Sequence, residues 1–288
     1  MYLLSKMKTA LYLLRINGAK GLLFAFCSQI KNLMGIRSGS FHACKDLFCG
    51  KNGIEIGGPS KVFSGKGIFP VYPIAGHLDN CNFGSATVWE GTIKDGQTFQ
   101  FDRKKPAGRQ YIMEATAMEC IPSGSYDFVL ASHILEHTAN PILALSEWQR
   151  LLKDQGVFVI LLPLKDGNFD RRRPVTTMEH LIADFTCGMG EDDLTHMQEI
   201  LELHDLERDP AAGSLSDFKA RSMRNFENRC LHHHVFDSQL AVRLMDYIGM
   251  QIVAVETVQP THIVVVAQRQ VATLKTVVHS TSSFYLSP

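Results

Sequence analysis

Two periodicities divide the chain. Residues 1–36 place Leu3, Leu4, Met7, Leu11 and Leu14 on one stripe at helical spacing, with a break at Asn17-Gly18. That pattern predicts two amphipathic helices. Two roles stay open for them: a cap packed on the main domain, or a basic helix in peripheral contact with a membrane surface. From residue 53 the rhythm changes to short apolar runs separated by glycine-rich turns. Gly53–Ile56, Val71–Leu78, Gln110–Glu114, Tyr126–Ala131 and Val157–Leu162 read as strands, the second weakened by Pro73. The fifth is a continuous apolar run, as expected for a parallel strand covered on both faces. Before it, Ile142, Leu145, Trp148, Leu151 and Leu152 make the buried face of a helix from Pro141 to Lys153, stopped by Asp154-Gln155-Gly156.

Two late strands, Gln251–Glu256 and His262–Gln268, are joined at Gln259-Pro260 by a turn too short for a crossover, so they must be antiparallel. Strands alternating with helices predict an α/β, doubly wound, Rossmann-like sheet of seven strands with an antiparallel last strand. The core is expected over 49–164 and 239–270, with a helical N-terminal segment at 1–48. Residues 165–238 show helical but no strand periodicity and are far longer than an ordinary crossover. They read as a helical insertion at the carboxyl end of the fifth strand, the edge where open α/β sheets bind ligands. The Ser/Thr-rich tail at 271–288 is expected to fray.

Composition narrows the class. With 45% hydrophobic and 20% charged residues in 288, the chain is neither disordered nor a disulfide scaffold. No uncharged apolar run reaches the length a bilayer needs, so no transmembrane segment is expected. The zero net charge conceals an asymmetry. Lys6, Lys8, Arg15, Lys20, Lys31, Arg37 and Lys45 precede the first acid, Asp46, so the first 45 residues carry +7 and the rest −7. The body has no basic stripe, and nucleic acid is not an expected partner. Seven cysteines, an odd number without a CxxC pair, suit a reducing compartment. The N-terminus lacks the apolar core and cleavage site of a signal peptide, so a cytoplasmic location is expected.

The strand Gly53–Ile56 ends in Gly57-Gly58, and Asp79 stands 24 residues past Glu55. A strand, a glycine turn and a following acid describe a nucleotide-type pocket. The GxGxxG fingerprint is not met, because Pro59-Ser60-Lys61 follow, and this disfavours NAD. A second block is more specific. Residues 124–137 read Gly-Ser-Tyr-Asp-Phe-Val-Leu-Ala-Ser-His-Ile-Leu-Glu-His, followed by Asn140-Pro141, Leu145, Glu147, Arg150-Leu-Leu-Lys153, Gly156 and Val157–Pro163. Together with Glu55-Ile-Gly-Gly-Pro59, it resembles the class I S-adenosylmethionine-dependent methyltransferases over 53–163 and 243–268.

The resemblance implies S-adenosyl-L-methionine as cofactor. Glu55, Gly57 and Gly58 would border its methionine part. Asp79 would accept from the ribose hydroxyls, Glu114 and Ala115 would lie near the adenine, and Ser132 and His133 would face the sulfonium. The adjacent glycines, where many members alternate them, leave the loop shape open. Each role has a plainer rival: an Asx turn for Asp79, a strand-end surface charge for Glu114. Glu136-His137 reads as the structural start of a helix, and Trp148 as core.

The insertion bears on the acceptor. It holds Asp170 with Arg171–Arg173, Glu179-His180, Glu191–Asp193 with His196, His204-Asp205 and His232–His234. A lid, a metal site and an inert polar cap are all open readings. With no cysteine joining these groups, and with three adjacent histidines unable to point one way, no metal site is expected. The arginines suit an anionic acceptor or are merely solvated. The expected activity is methyl transfer to a small-molecule or glycan acceptor, at an oxygen nucleophile, with His133, His232 or His234 as general base. A non-catalytic methyltransferase-like binding domain and an NAD-dependent oxidoreductase are the rivals.

Overall fold

A computed structural model describes residues 37–270. The helices expected within 1–36 and the tail expected over 271–288 lie outside the described residues. Ser38 starts helix α1 (Gly39–Cys44), its hydroxyl accepting the Phe41 amide. Then come β1 (Asn52–Ile56), β2 (His77–Asn82), a short hairpin of β3 (Ala86–Thr87) and β4 (Gly91–Thr92), β5 (Gly96–Phe99), β6 (Gly108–Ile112) and β7 (Tyr126–Ser132). Helix α2 (Pro141–Leu151), capped by Asn140, runs directly into β8 (Leu152–Pro163). The following segment carries α3 (Met178–Cys187), α4 (Met197–Leu203), α5 (Leu215–Ser222) and α6 (Asn225–Asn228). Helix α7 (Ser238–Tyr247) then leads to β9 (Met250–Val258) and β10 (His262–Arg269).

One sheet has the order β5-β6-β2-β1-β7-β8-β10-β9. The five strands from β6 to β8 are parallel, β10 is antiparallel to β8, and β9 is antiparallel to β10. This is the α/β architecture that the strand–helix alternation implied. It has one strand more than expected, because β5 pairs antiparallel with β6 at the edge. Gly96-Gln-Thr-Phe99 carries one buried apolar side chain, too little to register as an apolar run. The second strand also lies later than expected, at 77–82 instead of 71–78. Val71, Tyr72 and Ala75 are buried in a turn segment, so their apolarity reflects burial and not strand periodicity.

Along β7 the pleat sends Val129 and Ala131 to one face and Phe128 and Leu130 to the other. The first face packs on α2, through Ile142, Leu145 and Trp148, and on α7, through Leu240, Leu244 and Met245. The second is covered by aromatic rings in edge-to-face contact, with Phe48 5.5 Å from Phe128 and Phe41 5.3 Å from Phe69. Glu256 on β9 fastens α1: its carboxylate accepts the Ser40 amide (2.8 Å), the Ser40 hydroxyl and the Gly39 amide (3.2 Å). The segment between β8 and α7 has its own apolar centre of Ile200, Phe218 and Leu231. No helix among the described residues is long and apolar enough to cross a membrane.

Candidate active site

The strand order reverses between β1 and β7, so the loops leaving their carboxyl ends part in opposite directions and open a crevice. Gly57, just past β1, has φ +77°, and a Cβ there would lie 2.1 Å from Ile134 Cδ1. Only glycine fits that turn. His133, just past β7, has φ +56° and donates its amide to the Leu161 carbonyl at 2.8 Å. A left-handed non-glycine residue at a strand end is uncommon and marks a constrained position. A cavity of about 860 Å³ opens between these loops, within the usual size of ligand sites. Its floor is the ends of the parallel strands. Its roof comes from the insertion, including Phe169, Glu191, Asp209, Arg221, Arg229 and His232.

Gly57, Glu114, Ala115, Ser132, His133 and His232 are brought together on this cavity; Glu55, Gly58, Asp79 and His234 are not among its lining residues. Glu55 is fully buried beneath the loop, where it accepts the Ser60 amide (3.0 Å) and the Tyr72 hydroxyl (2.5 Å). Burial pushes its carboxyl up to about 7. A Cβ on Gly58 would lie 2.3 Å from the Glu55 carboxyl carbon, so Gly58 lets the loop close over that side chain. Both residues shape the turn from below.

Asp79 requires a correction. It lies inside β2, not at its end, and its oxygens are taken by the Tyr126 hydroxyl (2.7 Å), the Arg109 amide (2.7 Å) and His77 Nε2 (2.8 Å). Asn82 occupies the cavity end of that strand. The offset follows from the second strand beginning later than its apolar run suggested. His234 also departs from expectation. Adjacent residues in extended chain face opposite ways, and His232, His233 and His234 contact different groups: Asp170, Asn225 and the Ala139 carbonyl respectively.

The roof is a network of buried charge. His232 Nδ1 meets Asp170 Oδ2 at 2.5 Å, and Arg173 meets Asp170 Oδ1 at 2.9 Å. Arg173 also bonds Glu199 (2.8 Å) and donates to the carbonyls of His232 (2.8 Å) and His233 (3.0 Å). Burial alone would depress the His232 imidazole, but the Asp170 charge and hydrogen bond hold it above the ordinary histidine value. For Asp170, burial is likewise outweighed, by His232 and Arg173, and its carboxyl drops to about 2. A histidine fixed at one ring nitrogen by a buried carboxylate keeps the other free to take a proton. His133 is different. Burial, then the His262 and His232 charges, push it down to about 3, and its Nε2 is engaged by His262 Nδ1 at 2.8 Å.

Several positions on or around the cavity escaped the sequence reading. Glu136 does not start a helix: it sits in a 3-10 turn, lines the cavity, and takes no hydrogen bond on either carboxylate oxygen. Burial raises it to about 7. The arginines that reach the cavity are Arg221 and Arg229, not Arg171–Arg173. Arg229 bridges Glu114 (2.6 Å) and Glu191 (2.9 Å) and so joins floor to roof. Arg171 and Arg172 pair with Asp205, and Arg173 is buried in the network above. Trp89, more than half exposed, lies at the rim with its ring edge-on to His137. An isolated Trp-Glu in a polar stretch gave no pattern to flag it. Trp148 is core, donating its indole N–H to the Ala115 carbonyl at 2.9 Å.

A family model described as a methyltransferase domain matches residues 50–255. No curated protein matches the chain. Among solved structures, the CurJ carbon methyltransferase is 12% identical, with 77% of this chain and 49% of that one covered at a TM-score of 0.41. The chain thus spans about half the length of that protein. An S-adenosylmethionine-dependent methyltransferase from Mesorhizobium loti is 12% identical, with 80% and 96% covered at a TM-score of 0.45. One from Aquifex aeolicus is 11% identical, with 84% and 97% covered at 0.41. At such distances none of the three bears on the site or on the acceptor.

Proposed function

We infer that the cavity catalyses methyl transfer to a hydroxylated small-molecule or glycan acceptor, on the premise that this chain belongs to the class I S-adenosylmethionine-dependent methyltransferases. The observation that carries the reading is the cavity itself: strand-end loops form its floor, and a buried Asp170–His232 pair stands in its roof. S-adenosylmethionine supplies an electrophilic methyl group. The residues present fit that cofactor, because Gly57 keeps its turn clear of any Cβ and Asn82, Ala115 and Ser132 present short side chains along the floor. Gly57 and Ser132 are assigned to the methionine part, Asn82 to the ribose, and Glu114 with Ala115 to the adenine.

In this assignment His232 removes the proton of the acceptor hydroxyl, and Asp170 holds the ring and stabilises the charge it gains. His133 is a positioning group, since its Nε2 is bound to His262. Trp89 offers an apolar ring face to the C–H side of a sugar, next to the Glu90 carboxylate, which can accept from hydroxyls.

Calorimetric titration with S-adenosylmethionine, S-adenosylhomocysteine and NAD tests the first half. Micromolar binding of the two sulfur ligands, with none of NAD, is the expected result. A folded protein that binds none of them would instead be a methyltransferase-like binding domain. Transfer of labelled methyl from S-adenosylmethionine to a panel of sugars, phenols and amines tests the second half. Labelling of amines alone would overturn the oxygen-acceptor assignment.

A further inference from the structure

Apart from the cavity, a second set of side chains converges. His180 and Asp184 stand one turn apart on α3, facing His196 at the start of α4 and His234 in the extended run before α7. His180 Nε2 lies 2.7 Å from His196 Nε2 and 3.3 Å from Asp184 Oδ2, and His234 Nε2 lies 3.7 Å from that same oxygen. One donor atom from each of the four lies within 4.8 Å of all the others. Tetrahedral ligands bound at about 2.0–2.1 Å stand roughly 3.3 Å apart, the scale of this cluster. We propose that His180, Asp184, His196 and His234 hold a zinc ion.

Protein partners alone leave the cluster poorly satisfied. Asp184 is 4% exposed, yet its Oδ2 takes no hydrogen bond. A buried carboxylate oxygen without a donor is costly, and a cation relieves it. The outer contacts suit a metal as well. Asp193 Oδ2 lies 3.2 Å from His196 Nδ1, an arrangement that fixes the ring with its Nε2 lone pair toward the centre. His234 Nε2 exchanges only a long contact, 3.3 Å to the Ala139 carbonyl. Two carboxylates, Asp184 inside and Asp193 outside, balance a divalent charge.

The donor set selects the metal. Three imidazoles exclude calcium and magnesium, which take oxygen ligands, and suit zinc. Four protein ligands close the coordination sphere, the mark of a structural ion. The ion ties α3 and the turn before α4 to the segment before α7 in which His232, two residues from His234, reaches the cavity. Sequence spacing argued against a metal because its ligands come from three separate segments and only one of the three adjacent histidines takes part.

The full chain, stripped by a chelator and reloaded with zinc sulfate, is expected to hold one zinc per chain by elemental mass spectrometry. Cobalt in its place should give the intense visible bands of a tetrahedral centre. Chelation should lower the melting temperature by several degrees, and zinc should restore it. His180→Ala, at a side chain 42% exposed and so tolerant of removal, and Asp184→Asn should lose both the zinc and the cobalt bands. Asp193→Asn should weaken zinc binding roughly 10–100-fold, while His232→Ala should retain it. Wild-type protein without stoichiometric zinc at saturating metal would overturn the proposal. So would full zinc content in both His180→Ala and Asp184→Asn, or its loss in His232→Ala, which would place the ion in the cavity. None of these readouts depends on methyl transfer.

Discussion

The floor of the cavity presents Gly57, Asn82, Ala115 and Ser132 from the ends of parallel strands, whereas the roof packs Asp170, Arg173, His232, Glu191 and Arg229 into one inserted segment. The floor is therefore specified by backbone shape, with Gly57 at φ +77° against Ile134. The roof is specified by charges that must neutralise one another out of contact with water, as Arg173 does with Asp170 and Glu199. The floor should be intolerant of bulk and the roof of any unpaired charge.

Gly57→Val attacks the floor. It adds backbone strain of about 1–3 kcal/mol and overpacking of about 1–3 kcal/mol. That cost falls on folding and should lower the melting temperature, and a side chain in the turn should also weaken cofactor binding, measured by calorimetry, by roughly tenfold or more. Arg173→Met attacks the roof without adding bulk. It leaves the buried Asp170 carboxylate with His232 alone as ion partner among the described residues, and breaking such a pair costs about 3–5 kcal/mol, readable by urea denaturation. If Arg173→Met proved harmless while Gly57→Val unfolded the protein, the contrast between the two walls would be wrong.

Asp170→Asn is the mildest of the three, because Arg173 keeps Glu199 and His232 can lose its charge, and it has the most diagnostic shape. A general base works deprotonated, so wild-type kcat/KM should rise with pH and level off above the ordinary histidine range, because Asp170 holds His232 upward. Without that carboxylate the rise should move to lower pH and the plateau should drop. The linked stability runs the other way. The raised His232 contributes stability below its unfolded pKa, lost as pH rises through the folded value. An unmoved limb in Asp170→Asn would remove His232 from the role of base.

The same contrast decides what could be read from the sequence. That Gly57, Ser132 and His133 would line the cavity was legible because each ends an apolar strand, and a strand end is a fixed place in a parallel sheet. Asp79 misled for a local reason: the buried turn at Val71–Ala75 mimics a strand, which displaced the true one by several residues. β5 left no trace because an edge strand needs no alternating apolar face. The roof was legible only as composition. That Arg173 would be buried while Arg171 and Arg172 stayed half-exposed on Asp205 depends, beyond the local Asp170, on partners between 26 and 60 positions away. No local pattern encodes such pairs. Glu136 was misread because its neighbours allow a helix start, and only the packed structure shows both oxygens without a donor.

The clasp of Glu256 on Ser40 sets an order in time. The two residues are 216 positions apart, so during synthesis α1 emerges long before the carboxylate that receives it exists. At about 5–20 residues per second the wait is roughly 10–40 s. Through that interval the aromatic face that Phe41 helps to cover, and the sheet edge that β9 completes, both stand unfinished. The strands β9 and β10 are thus the ones that close the sheet over α1, and a chain truncated before Glu256 would leave that helix without its anchor.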